Sequence, residues 1–176
     1  MYTLIVIDMQ EGSFSKSDKY DSENIISRIN EFSKKVRVRG GNVIFIQHDG
    51  TEEEGLLPNS DGWNILSSLD RYAADVVIRK TTNDAFYKTN LDVCLKNLGS
   101  EEVIFCGWAT DFCVDTTIRS AISHEYFVSV ASDCHTVSDR PHMRAENVIK
   151  HHNWLWSNML TPRKKVQVLQ AIELCL

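Results

Sequence analysis

The sequence predicts a three-layer α-β-α domain on a six-stranded, mostly parallel sheet of order 3-2-1-4-5-6. Two observations predict the layers and the parallel sheet, and the strand order is supposed with them. Short, apolar, β-branched runs alternate with amphipathic helical stretches along the chain, and runs of that kind mark strands buried on both faces. Strand-helix alternation builds right-handed β-α-β units, which cover one sheet with helices on both sides.

The expected strands are TLIVI (3–7), NVIFIQ (42–47), DVVIR (75–79), EEVIFC (101–106) and YFVSVA (126–131). A sixth run, KKVQVL (164–169), is weaker and reads either as a strand or as the start of a terminal helix. The stretch 22–39 puts Ile25, Ile29, Phe32 and Val36 on one face, with Ser22 as the expected cap and Gly40 as the stop. Residues 90–98 gather Leu91, Cys94, Leu95 and Leu98, and residues 111–123 gather Val114, Ile118, Ala121 and Ile122. The last helical stretch, 141–157, is polar on one side and aromatic on the other.

The longest irregular connection runs from His48 to Ala74. It carries the acidic triplet Glu52–Glu54, which reads as solvated surface, then Gly55, Pro58 and Gly62, with a short helix expected from about Gly62. Connections this long more often bind something than merely join elements. No internal repeat, low-complexity tract or interdomain linker interrupts residues 1–176, which read as a single domain.

Composition narrows the function classes. An apolar share of 43% and a charged share of 24% suit a globular core. A net charge of −5 gives no basic excess for nucleic acid. No apolar run approaches the roughly 20 residues needed to cross a bilayer. The five cysteines, Cys94, Cys106, Cys113, Cys134 and Cys175, are odd in number and show no C-x-x-C spacing, against a disulfide framework or zinc knuckle. The first strand-like run, Tyr2 to Ile7, reaches Asp8 too soon for a signal peptide. The expected setting is a reducing cytoplasm, with a small-molecule substrate, no nucleic acid, no membrane and no cofactor.

Parallel sheets bind ligands beyond the carboxyl ends of their strands, where strand order reverses. Asp8 ends the first strand, Lys80 ends the third, and Cys113 opens the helix after the fourth. In the order above, strands 1 and 4 are neighbours, so Asp8 and Cys113 share a crevice. Lys80 starts about 10 Å away by backbone, at two strand spacings, and its long side chain spans much of that gap. A helix start favours thiolate, a carboxylate can take the thiol proton, and a lysine cation makes the charged cluster bearable. Each residue alone also has a plainer reading: core filling for the cysteine, a solvated surface position for the lysine, a turn or cap for the aspartate. Their joint placement at strand exits carries the functional reading.

Three segments together resemble a known family. LIVIDMQEGSF, IRKTTNDAF and CGWATDFCVDTTIRSA are similar to the isochorismatase-like hydrolases, also called the cysteine hydrolase superfamily, and the likeness extends to HHNWLWSNML. The resemblance implies catalytic roles for Asp8, Lys80 and Cys113, a cis peptide at Trp108–Ala109, and oxyanion donors in the backbone N–H groups of Ala109 and Cys113. It further implies cleavage of a C–N bond through a thioester, and a homo-oligomer. Helix 141–157 adds a reason for the last, because Trp154, Leu155 and Trp156 place apolar surface near a chain end.

One departure matters. Nicotinamidases of that superfamily hold a metal on Asp-x-His and further histidines, whereas here His48 and Asp49 are adjacent and the next histidine is His124. No metal is expected, and His48 reads as a hydrogen-bonded rim residue. His151 and His152 are adjacent on a helix and point in different directions. Phe14, Phe86, Trp108 and Phe112 lie beside the three segments as pocket walls or core, with Trp63 and Trp154 as lesser candidates. His135 borders the site or serves as a turn residue. Two other functions stand against the amidase reading: vinyl-ether hydrolysis, which does not need Cys113 as nucleophile, and a catalytically silent binding protein on the same fold.

Overall fold

The computed structural model describes residues 1–174, so Cys175 lies outside the described residues. Six strands, β1 (Tyr2–Ile7), β2 (Asn42–His48), β3 (Val76–Lys80), β4 (Glu102–Trp108), β5 (Phe127–Thr136) and β6 (Gln167–Leu169), form one sheet of order β3-β2-β1-β4-β5-β6. Every pairing is parallel. The helices are α1 (Glu11–Ser15), α2 (Ser22–Val38), α3 (Leu91–Asn97), α4 (Asp115–Ser123) and α5 (Ala145–Ser157).

The period of two along β1 sorts its side chains between two cores. Leu4 and Val6 join Ile25, Ile29, Phe32 and Val36 of α2. Ile5 and Ile7 join Leu91 and Leu95 of α3, Ile118 and Ile122 of α4, and Trp156 of α5. With both faces covered, β1 has no exposed side to alternate toward, hence its unbroken apolar run. No helix among the described residues is long and apolar enough to cross a membrane.

Several boundaries differ from expectation. Ser22 lies inside α2, and Asp21 holds the cap position in a left-handed conformation with its carboxylate on Arg28 at 2.7 Å. Gly40 ends the helix as expected, at φ +77°. The helix expected over 111–123 begins as a π-helical turn, Thr110–Val114, before α4. The helix expected from 141 starts at Ala145, whose N–H donates to Asp139 Oδ1. The weak run 164–169 becomes the three-residue edge strand β6 on β5. Helix α1 was not anticipated, because five residues are too few to show a period.

The long connection is fastened to α1. Met9 O accepts from Leu66 N–H, and Asn64 O accepts from Glu11 N–H. The short helix expected from Gly62 is a 3-10 turn at Asp61–Trp63. A Cβ on either Gly12 or Gly62 would lie 2.2 Å from the Gly55 carbonyl oxygen, so the backbones meet only without side chains.

Gly107 marks the tightest strand contact. It pairs with Ile7, immediately before Asp8, at φ +116°. A Cβ there would lie 2.3 Å from Ile7 O. Gly107→Ala is expected to lose about 3 kcal/mol from strain and overpacking. Urea unfolding checks this, and an unchanged midpoint would show that β4 can shift freely.

Candidate active site

The chain leaves β1 through Asp8, a non-glycine residue at φ 48°. Its N–H still bonds Ile46 O of β2 at 3.0 Å, so the ladder runs on past the strand end. The side chain is thereby turned into the crevice between β1 and β4, where it is buried. Lys80, the last residue of β3, reaches it under the end of β2. Its Nζ lies 2.6 Å from Asp8 Oδ2 and 3.3 Å from Cys113 Sγ, and donates to Thr82 O at 2.8 Å. These contacts account for the three donors of an ammonium group. All three residues expected from the sequence therefore meet.

Cys113 sits in the π-helical turn. The carbonyl of Ala109 accepts from both Phe112 N–H and Val114 N–H, each at 3.1 Å. The 114-to-109 bond is the wide π closure, a local form frequent at functional sites. The Trp108–Ala109 peptide is cis. Ala109 and Cys113 both line the same cavity of about 360 Å³, together with Asp8, Trp108, Phe112 and His48. That volume suits a small molecule.

Charge is distributed differently from the expectation of a resting thiolate. The Cys113 thiol is pushed up to about 12, first by burial and next by the Asp8 carboxylate, with Lys80 pulling it down. At neutral pH the thiol therefore keeps its proton. Burial also raises Asp8, opposed by Lys80. The 2.6 Å contact with Lys80 and the neighbouring Cys113 thiol both hold that carboxylate. A carboxylate of raised basicity beside a protonated thiol is arranged to take that proton.

Residues that sequence reasoning gave no role complete the surroundings. Gln10 ties the exits of β1 and β2 together: Nε2 donates to His48 O at 3.0 Å and to Trp63 O at 2.8 Å, and Oε1 accepts from His48 N–H at 2.8 Å. Asn83 lines the cavity, with Oδ1 at 3.5 Å from Cys113 Sγ. Both stand in the segments that carry the family likeness, two or three residues past a catalytic candidate, and that position was the available signal.

The aromatic candidates separate. Trp108 and Phe112 line the cavity, and Phe112 is exposed at its mouth beneath Arg140, which pairs with Asp111 through two 2.7 Å bonds. Phe14 lies beside Trp108 at 6.5 Å without lining that cavity. Phe86 is a correction: it is core, stacked 4.7 Å from His124 and 6.0 Å from Tyr126. Trp63 is fixed to Asp49 and Trp154 stands exposed on α5. His48 lines the cavity and is kept neutral by burial and by Lys80. Among the described residues, no three or more His, Cys, Asp or Glu gather as metal ligands.

Residues 2–157 match the model of the isochorismatase domain, and the chain belongs to that family. A crystal structure of an isochorismatase family protein superposes with a TM-score of 0.87 at 31% identity, covering 96% of this chain and 98% of the other. Streptothricin hydrolase of Streptomyces noursei is 27% identical over 139 residues, 78% of this chain and 50% of its own length. Ureidoacrylate amidohydrolase RutB of Variovorax paradoxus is 26% identical over 167 residues, 74% of this chain and 66% of its own length. This chain thus spans about half the length of the streptothricin hydrolases it matches.

Behind the turn, His135 is fully buried. Its Nδ1 meets Thr110 Oγ1 and its Nε2 meets Asn153 Oδ1, both at 2.9 Å. Asn153 Nδ2 donates to Ser132 O, which leaves Oδ1 to accept the imidazole N–H. The single Thr110 hydroxyl proton lies within reach of both His135 Nδ1, at 2.9 Å, and Thr136 O, at 3.0 Å. Burial, the largest cause, pushes His135 down from 6.5 to about 4. Between those values the unfolded chain binds a proton that the native ring refuses, so this contribution is whole above pH 6.5 and falls away toward pH 4. His135→Gln should flatten the loss of melting temperature over that window, measured by calorimetry at several pH values. An equal slope in the variant would show that other groups cause the acid loss.

Proposed function

We propose that this chain is a metal-independent cysteine hydrolase that cleaves a C–N bond of a small amide or related compound. One observation carries the reading: Asp8 and Cys113 line one cavity, Lys80 joins them behind its wall, and the protonated thiol lies beside the carboxylate. The amidohydrolase and hydrolase names of its relatives agree with it.

Asp8 takes the proton from Cys113 Sγ as the substrate docks. The thiolate attacks the carbonyl carbon, and the C=O electron pair moves to oxygen. Backbone N–H groups of Ala109 and Cys113 receive that oxyanion. Collapse of the tetrahedral species breaks the C–N bond, and Asp8 returns the proton to the leaving nitrogen. A water then gives a proton to Asp8 and attacks the thioester. Release of Cys113 with that proton restores the site. Lys80 offsets negative charge throughout as it passes between sulfur and carboxylate. A vinyl-ether hydrolase would use the acid alone and leave the Lys80–Cys113 contact without purpose.

A reducing cytoplasm suits the four described cysteines, all unbridged. A homo-oligomer is part of the same proposal, on a narrower apolar surface than expected. Trp156 is wholly buried with its indole N–H on Asp115, so of Trp154, Leu155 and Trp156 the exposed one is Trp154, with Leu160 exposed beyond α5. Light scattering decides it, and a strictly monomeric mass at micromolar concentration would refute it.

Cys113→Ala should abolish turnover while the melting curve stays intact. Mass spectrometry after incubation with a panel of small amides should find an acyl group on Cys113 of the native protein. Substantial turnover by the alanine variant would favour vinyl-ether chemistry. Lys80→Met should slow the reaction at least about tenfold, or roughly 1.4 kcal/mol of barrier. Normal turnover there would make Lys80 a bystander. Exhaustive chelation should leave the rate unchanged, and activity lost on chelation and regained with a divalent ion would overturn the metal-independent reading.

A further inference from the structure

The cavity wall holds one cation that its surroundings leave uncompensated. Two lysines line it, Lys16 and Lys19, against two carboxylates, Asp8 and Glu54, with Lys80 buried behind Asp8. Lys80 is spent on Asp8. Lys16 stands exposed at the rim, bonded to Glu53 O and attracted by Glu54. Lys19 is different. Its side chain is buried, with the residue only 7% exposed. Its Nζ bonds the Ser17 carbonyl and Ser17 Oγ, both at 2.8 Å, which leaves the third ammonium donor open. Among the described residues no carboxylate forms an ion pair with it. Burial and then Arg140, already paired with Asp111, pull its pKa down, Asp18 holds it up only from further away, and a bound anion would secure its charge.

The other unfinished groups on this wall include donors. Ser13 is buried with a hydroxyl that has no partner, and Trp108 has a buried indole N–H that also has none. The Lys19 ammonium stands 5.3 Å over the Trp108 ring and 5.7 Å over Phe14, which position it without neutralising it. Buried donors without acceptors are costly, and a bound acceptor removes that cost. One unpaired positive charge with two neutral donors matches a monoanion better than a phosphate dianion.

We infer that Lys19, with Ser13 and Trp108, binds a carboxylate of the substrate, so that the amide cleaved at Cys113 belongs to a small amido or ureido acid. This deepens the proposed function and rests on Cys113 being the nucleophile. Lys19 would be a specificity-determining residue: a carboxylate on it orients the scissile carbonyl toward Cys113, which a neutral analogue lacks.

Two haloacetyl reagents test this without knowledge of the substrate. Labelling rates at Cys113 are measured by mass spectrometry for anionic iodoacetate and neutral iodoacetamide. The ratio of the two rates should fall at least about fivefold in Lys19→Met, the size of one partly buried ion pair, and Lys19→Arg should keep at least half of the native ratio. An unchanged ratio in Lys19→Met would overturn anion recognition while leaving the nucleophile reading standing. Failure of both reagents to label Cys113 ahead of the other cysteines would instead sink the nucleophile reading. Binding then decides the anion claim with Lys19 intact. An N-carbamoyl amino acid and its methyl ester are titrated calorimetrically into Cys113→Ala. Tighter binding of the acid supports the inference, and equal affinities, or no binding of the acid, overturn it.

Discussion

The site depends on one buried ion pair. Lys80 and Asp8 leave two strands that are not adjacent, with β2 between them, and meet at 2.6 Å out of contact with water. A carboxylate alone there would be forced neutral, and a lysine alone would be forced to lose its proton. Together they let a charged base exist beside a thiol. Removing one partner of such a pair costs about 3–5 kcal/mol, because the other charge is left buried and unpaired. The pair is therefore weak evidence of stabilisation and strong evidence of a site that needs charge.

The order of the strands makes that pair possible. Only a sheet with β1 between β2 and β4 brings the ends of β1 and β4 side by side and leaves β3 within reach of a lysine side chain. The absence of a Cβ at Gly107 lets β4 close on the backbone of Ile7, immediately before Asp8. Gln10 fastens the exit of β2 to that of β1 and to the long connection. The catalytic candidates are short-range consequences of these backbone contacts.

Resting protonation follows from burial more than from the local pattern. The turn at Cys113 has the features that favour thiolate, a helix start and a lysine at 3.3 Å. Burial and the neighbouring carboxylate outweigh them. Such a thiol acquires its charge when its proton moves to Asp8. Behind it, His135 is held neutral by burial, 2.9 Å from Thr110.

Sequence alone determined the layers, five of the six strands and the three residues at their exits, because period and apolar runs are local properties and strand ends fall where those runs stop. It also marked Trp108 and Phe112 by their position next to Cys113. Tertiary structure decided the rest. Phe14 and Phe86 looked equivalent to those two until packing put Phe86 into the core beneath α3 and α4. Trp154 and Trp156 are two residues apart on one helix, yet one is buried and the other exposed, since a helix turns about 200° over two residues. The proton on Cys113, the clamp made by Gln10 and the uncompensated charge of Lys19 depend on groups far apart in the chain. Burial and electrostatic balance are sums over neighbours in space, and only the folded chain fixes which neighbours those are.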